Sequence, residues 1–432
     1  MATIRSRVLI VLDGLGDLPH PALAGKTPLE AAHTPHLDRL ASLGRLGTLE
    51  PVRRGVAPES DAGVLSLLGY DPERESPGRG VLEALGAGVK LGPKDVALRL
   101  NFATADASGR IVDQRVGRGL STAESEALAR SLTEADLVGD MGIEARFLAT
   151  VGHRGVVYLS PREDGALSGE VSNSDPYYER VGRAGHAVKP ERAYPREIRP
   201  VGSGPEAART ADALNRITAR SADLLESHPT NAQRASAGKL VANRILMRDA
   251  GGVPSSFPTF QSRHHLAAAA VTEMPVERGI AGLLGLRDIF VGPMGTDVAG
   301  GLRHRAEVVR QALLHDPFVY VHLKGPDEPG HDGDAPRKRD VVERLDQFFM
   351  GPFLEGLNLD EVLIAVTADH STPCILKGHS DDPVPLLVAG GTIRPTGAIA
   401  SKFSEGTARA GSLGEILGRD LVPMMLADAP SA

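Results

Sequence analysis

The chain has 432 residues, a single cysteine (Cys374) and no tryptophan. One thiol cannot close an internal disulfide, so a secreted, disulfide-framed fold gains no support. Aromatic residues make up only 4% of the chain, too few for base-stacking platforms. The formal net charge of −7 lacks the basic surplus that draws a protein onto nucleic acid. Apolar runs are short. None approaches the roughly 20 residues needed to cross a bilayer, and Val8–Leu12 is the length of a strand rather than of a leader. The expectation is therefore a cytoplasmic protein with neither a nucleic-acid nor a membrane partner. Internal repeats and low-complexity tracts are missing as well.

What is present is an ordinary apolar content, 41%, in a chain long enough for two or three domains. Continuous apolar runs at 7–12, 318–323, 361–367 and 385–388 read as buried strands. Helices are expected over 35–43, 61–68, 122–137, 206–227 and 339–354, and also over 235–248 and 412–417. Strands are expected over 97–102, 109–113, 146–151 and 155–159. Residues 160–205 read as irregular, rich in Gly, Pro, Ser and charge. The alternation of strand and helix at both ends, with a different texture between them, predicts an α/β fold. Residues 1–78 and 255–432 would form one discontinuous domain, and 79–254 an inserted smaller α/β domain.

The chemistry-bearing residues gather at strand ends. Asp13 closes the first apolar run, Asp327 and His331 follow the run at 318–323, Asp369 and His370 follow the run at 361–367, and His379 comes shortly after. Ligands of open α/β sheets bind outside the carboxyl ends of the strands. Three carboxylates and three imidazoles placed there suit a pair of divalent cations. Pro329 and Gly330 between Asp327 and His331 predict a tight loop rather than a helix. Ser60 opens a short helix, beside N–H groups that favour anions, where a metal would make its hydroxyl a nucleophile. Cationic clamps for a phosphorylated substrate are available at Arg79, Arg99, Arg115, Arg118 and His153-Arg154.

These stretches, in this order, resemble the archaeal-type, cofactor-independent (2,3-bisphosphoglycerate-independent) phosphoglycerate mutases. The similarity is carried by residues 11–17, 25–32, 67–72, 78–80, 99–104, 327–334, 369–373 and 377–385. The resemblance implies the three-layer sandwich core of the alkaline phosphatase superfamily. It implies that Ser60 takes the phosphoryl group of 3-phosphoglycerate and returns it to the 2-hydroxyl, while domain closure keeps water off the phosphoserine. Asp13, Ser60, Asp369 and His370 would hold one metal, and Asp327, His331 and His379 the other. Mn²⁺ is the first choice, with Mg²⁺, Zn²⁺ or Co²⁺ as alternatives. His153 would move protons at the glycerate hydroxyls, and Lys324 would offset charge on the transferring group. Arg79, Arg99, Arg115, Arg118, Arg154, Asp175 and Arg278 would bind the substrate, a small phosphorylated carboxylic acid; self-association into a homo-oligomer is left open. The chain departs from the family at Glu59, which sets a negative charge beside the nucleophile, at Gln114 and at Pro326. A hydrolase of the same fold, or a mutase acting on another phosphorylated or phosphonylated acid, is the alternative. A non-catalytic, metal-stabilised binding module is a third.

Overall fold

The computed structural model describes residues 4–427 except 164, 182–183, 189, 255 and 397–399. It divides into two compact units, residues 1–75 with 258–432 and residues 76–257. The crossings expected at 78/79 and 254/255 stand at 75/76 and 257/258, and position 255 itself lies outside the described residues.

The first unit is built on an eight-stranded sheet in the order Arg287–Phe290, Ala269–Thr272, Phe318–Leu323, Ser6–Leu12, Val362–Thr367, Val384–Gly390, Arg45–Glu50, Gly414–Leu417. The first five strands are mutually parallel, and Val384–Gly390 runs antiparallel to both its neighbours. Successive side chains of a strand point to opposite faces. Val8 through Leu12 are all fully buried, so both faces of the sheet centre are covered, which makes a three-layer core. Register sets the level of the strand ends: Leu12 pairs with Leu323 and Val11 with Thr367. The residues that follow, Asp13, Lys324 and Asp369, therefore emerge side by side.

The second unit centres on the strand Val96–Ala105. It pairs antiparallel with Arg154–Pro161 on one side and Arg244–Gly252 on the other, and near its end with Ile111–Asp113. Ile143–Ala149 extends the sheet beyond Arg154–Pro161. The helices Thr122–Glu134 and Pro205–Glu226 contribute Leu128, Leu132, Leu214 and Ile217 to the core of this sheet. Among the described residues of either unit, no helix is long and apolar enough to cross a membrane.

Three expectations are corrected. Residues 235–248 do not form a helix: a helix ends at Ser236 and the strand Arg244–Gly252 follows. Ile245, Leu246 and Met247 are all buried, which requires covering on two opposite faces and suits a central strand. Residues 412–417 carry the strand Gly414–Leu417, parallel to Arg45–Glu50. The partner strand decides this, because four residues hold too few local hydrogen bonds to nucleate a stable helix. The loop expected around Asp327 is a helix, Asp327–Asp332. Pro329 falls in its first turn, where the missing N–H has no intrahelical partner to lose.

One buried carboxyl makes the stability of this unit pH-dependent. Burial pushes Glu405 up to about 7, although it accepts a 2.6 Å hydrogen bond from the Thr27 hydroxyl. The folded chain then holds a proton that the unfolded chain loses from about pH 4.5 upward. This contribution is complete at low pH and falls away as the pH rises through 4.5–7. Glu405→Gln keeps the hydrogen-bond acceptor and removes the charge. It is expected to raise stability by on the order of 2–3 kcal/mol at pH 8 and by little at pH 4.5, read from denaturant melts of both chains at the two pH values.

Candidate active site

Asp13 is drawn to the end of its strand by backbone pairing: its N–H donates to the Leu323 carbonyl at 3.0 Å. Its Oδ2 lies 3.0 Å from Lys324 Nζ, and its Oδ1 lies 3.4 Å from His370 Nε2. Burial acts to raise the Asp13 pKa, but the Lys324 charge, with His322 and His370, holds it well below the usual carboxylate range. Asp369 is fully buried; its Oδ2 stands 3.4 Å from His370 Nε2 and its Oδ1 accepts the Gly14 N–H at 3.2 Å. Asp327 Oδ1 lies 3.4 Å from His379 Nε2 and 3.4 Å from His331 Nε2. Burial and the Asp13 charge push Asp327 up, and its contacts with His379 and His370 more than reverse this. His379 stacks on His370 with ring centroids 3.8 Å apart. Burial opposes its protonation, yet Asp327 and Glu59 bring it to about 9.

Ser60 is the first residue of the helix Ser60–Leu67, and its Oγ lies 3.2 Å from His370 Nε2. The approach depends on a glycine. A Cβ at Gly63, one turn on, would overlap the carbonyl oxygen of Asp369. Helix and ligand loop therefore meet backbone to backbone, and the hydroxyl reaches the imidazole.

Among the described residues, two groups offer cation geometry: Asp13, Asp369 and His370, and Asp327, His370 and His379, each with ligand atoms within 4.8 Å of one another. Buried oxygens support a fit to divalent metal. Asp13 Oδ1 and Asp369 Oδ2 have no hydrogen-bond partner, a costly state that a cation relieves. Mixed carboxylate and imidazole donors suit Mn²⁺, Zn²⁺ and related ions. The expected division gave His370 to the Asp13 group alone; in the structure it belongs to both. His331, expected beside Asp327 and His379, is half-exposed, its ring centroid 5.0 Å from that of His379.

Three residues of this cluster were not foreseen. His322, buried in the strand Phe318–Leu323, stands between Glu277 (Nδ1 to Oε1, 3.3 Å) and Asp369 (Nε2 to Oδ2, 3.4 Å). Glu277 also lies 3.3 Å from Lys324 Nζ. A histidine inside an apolar run was the available signal. Thr372 donates to Asp327 Oδ1 at 2.7 Å and meets His370 Nδ1 at 3.0 Å; it lies in the 369–373 stretch, with no role expected for it. Arg278, expected to bind substrate, pairs with Asp288 at 2.9 Å and lies over the Phe290 ring.

The second unit carries a separate cationic cluster. Arg99 and Arg248 face each other as register partners on adjacent strands, both buried. Like charges in that position repel. Glu83 pairs with Arg79 at 3.2 Å and Arg99 at 2.9 Å, and Asp175 with Arg248 at 2.7 Å. Asp175 is thus a fully buried support for Arg248, a residue that the helix expectation had hidden. Asp249 lies 3.5 Å from Arg248 and 3.8 Å from Arg99. Arg154 also acts on Glu83, and Arg115 and Arg118 join Arg154 and Arg248 around His153. Burial, then Arg248 and Arg79, push Arg99 down to about 10. Burial, then Arg154, Arg115, Arg248 and Arg118, push His153 down to about 4, so its imidazole is neutral at physiological pH. The loop bearing Arg115 and Arg118 is strained, with positive φ at Val116 (52°), Gly117 (60°) and Arg118 (55°). A β-branched residue there is a backbone outlier of the kind concentrated at ligand sites.

Gly63→Ala tests how the Ser60 hydroxyl is placed. Alanine gains about 1 kcal/mol of helix propensity, but overlap with a main-chain carbonyl costs roughly 1–3 kcal/mol and cannot be relieved by a rotamer change. The helix is expected to shift outward and turnover to fall by on the order of 10–100-fold, while circular dichroism still shows a folded chain. Wild-type turnover would mean that Ser60 keeps its place without this contact.

Comparison with known proteins agrees with this geometry. Residues 41–231 match the family model described as 2,3-bisphosphoglycerate-independent phosphoglycerate mutase. The chain is 44% identical to the enzyme of that name from Aeropyrum pernix, over 95% of this chain and 96% of the relative. Among solved structures it resembles the PH0037 protein from Pyrococcus horikoshii, with a TM-score of 0.78 and 31% identity over 100% of this chain and 99% of that one. It also resembles the cofactor-independent phosphoglycerate mutase from Thermoplasma acidophilum, with a TM-score of 0.62 and 33% identity over 98% of this chain and 100% of that one. With near-complete coverage at this identity, the chain belongs to the 2,3-bisphosphoglycerate-independent phosphoglycerate mutase family.

Proposed function

We propose that this protein interconverts 3-phosphoglycerate and 2-phosphoglycerate by passing the phosphoryl group through Ser60, with no requirement for 2,3-bisphosphoglycerate. The observation that carries the reading is the Ser60 hydroxyl at a helix N-terminus, 3.2 Å from His370 Nε2 and beside two ligand triads. Asp13, Asp369, His370 and the Ser60 oxygen would hold one divalent cation, and Asp327, His379 and His331 the other, with Mn²⁺ the first candidate. When bound, such cations lower the pKa of a serine hydroxyl and offset negative charge on a phosphoryl group.

The chain's own residues account for the remaining steps. Ser60 Oγ attacks phosphorus as the bond to the C3 oxygen breaks, leaving phosphoserine and glycerate; the C2 hydroxyl then attacks the same phosphorus and restores the serine. Lys324, a quarter exposed and paired with Asp13, supplies positive charge to the transferring group. The arginine surplus of the second unit has the charge and the planar forks to hold a carboxylate and a phosphate. His153, neutral above about pH 4, is fitted to take and return the hydroxyl proton of the glycerate. Metal-dependent hydrolysis is the second reading; Glu59, whose carboxylate lies 3.9 Å from His379 Nδ1, sets a negative charge beside Ser60 and bears on which phosphorylated acid is accepted.

The purified chain given 3-phosphoglycerate and Mn²⁺, without bisphosphoglycerate, is expected to produce 2-phosphoglycerate in ³¹P spectra. The signal should vanish with chelator and fall at least 10³-fold in Ser60→Ala, roughly the scale of losing a nucleophile. Inorganic phosphate as the main product would establish the hydrolase instead. Asp327→Ala should abolish turnover with the fold retained; undiminished turnover would remove Asp327 from the metal assignment.

A further inference from the structure

Thr372 touches one ligand from each side of the divided site. Its hydroxyl has one proton, and that proton goes to Asp327 Oδ1 at 2.7 Å, since a carboxylate only accepts. The 3.0 Å contact with His370 Nδ1 must then be donated by the ring. His370 is held with its proton on Nδ1 and its lone pair on Nε2, the nitrogen that faces Ser60, Asp13 and Asp369. One hydroxyl thus fixes the tautomer of a histidine reachable by both triads and the orientation of a carboxylate belonging to only one.

The surroundings are built to hold this hydroxyl. A Cβ at Gly14 would stand 2.7 Å from Thr372 Oγ1 and 2.9 Å from Asp327 Oδ1, and one at Gly330 would stand 2.8 Å from Thr372 Cγ2. Glycine at both positions thus lets the backbone approach both branches of the Thr372 side chain. The Thr372 backbone is held by hydrogen bonds. The Thr372 N–H donates to the Gly16 carbonyl at 3.0 Å, and its own carbonyl accepts from Lys338 Nζ at 2.9 Å. Lys338 is fully buried, and its other contacts are Asp17 Oδ2 at 2.8 Å and the Gly16 carbonyl at 3.2 Å.

We propose that Thr372 is a positioning residue that couples the two cation sites, so that the loading of each depends on the same hydroxyl. This rests on the two-cation reading above. Groups that orient metal ligands through hydrogen bonds typically control affinity by 10–100-fold. Thr372→Val conserves shape and removes the hydroxyl, whereas Thr372→Ser keeps the hydroxyl and loses a methyl.

The test is calorimetric titration of Mn²⁺ into chelator-stripped protein, with thermal melts of the stripped chains as fold controls. Wild type should take up two ions. The valine variant should bind both about 10–100-fold more weakly, and the serine variant should return to within about threefold of wild type. Thr372→Ala takes the place of the valine variant if that chain is unfolded by circular dichroism. Two wild-type affinities in the valine variant, weakening of one step only, or a serine variant as weak as valine would each overturn the coupling while leaving the cation sites standing. A wild-type chain that takes up no Mn²⁺ overturns the two-cation reading, and the coupling with it.

Discussion

Carboxylates held together against their own repulsion set the terms for the catalytic unit. Asp13 and Asp369 share a buried site at neighbouring strand ends, with Asp327 across the His370 ring and Glu277 behind His322. Isolated, each charge would be expelled or neutralised by protonation. The sheet forces them to one level through backbone register, which side chains cannot renegotiate. Lys324 and the imidazoles supply part of the answering charge. Asp13 Oδ1 and Asp369 Oδ2 are still left without a hydrogen-bond partner, a demand for positive charge that these neighbours do not meet.

The second unit solves the opposite problem with the same device. Strand pairing sets Arg99 and Arg248 directly opposite each other, and Glu83, Asp175 and Asp249 keep the arrangement folded without cancelling it. Burying an arginine costs less when its fork is already filled by carboxylate oxygens. The scaffold carboxylates thus act as spacers. They hold the guanidinium groups in place across the strand pair.

The sequence made some of this legible and hid the rest, for identifiable reasons. Asp13, Asp327, Asp369 and His370 could be picked out because each sits just beyond a strong apolar run, where a polar residue needs an explanation, and His379, in a Gly/Ser loop, only by its company with them. The central strands were legible for the same reason: a run such as Val8–Leu12, buried on both faces, needs no partner to be recognised. Arg248 and Glu277 were hidden because their importance is cross-strand and cross-helix. Arg248 matters only once Arg99 is known to face it, and Glu277 only once His322 and Lys324 are seen beside it. The strands Arg244–Gly252 and Gly414–Leu417 were missed on similar grounds. Their local composition tolerates a helix, and it is the neighbouring strand that decides.

The contact between Gly63 and the Asp369 carbonyl sets the tolerance to which the Ser60 hydroxyl is held. Most distances in an active site are defined through side chains, so their spread is the spread of rotamers and grows as side chains loosen on warming. Here the two elements touch main chain to main chain, and the separation of Ser60 from its imidazole inherits the stiffness of a helix seated on a sheet edge. No conformational entropy has to be surrendered at the contact each time substrate arrives. The alignment of the Ser60 oxygen is a property of the fold itself, settled when the chain folds.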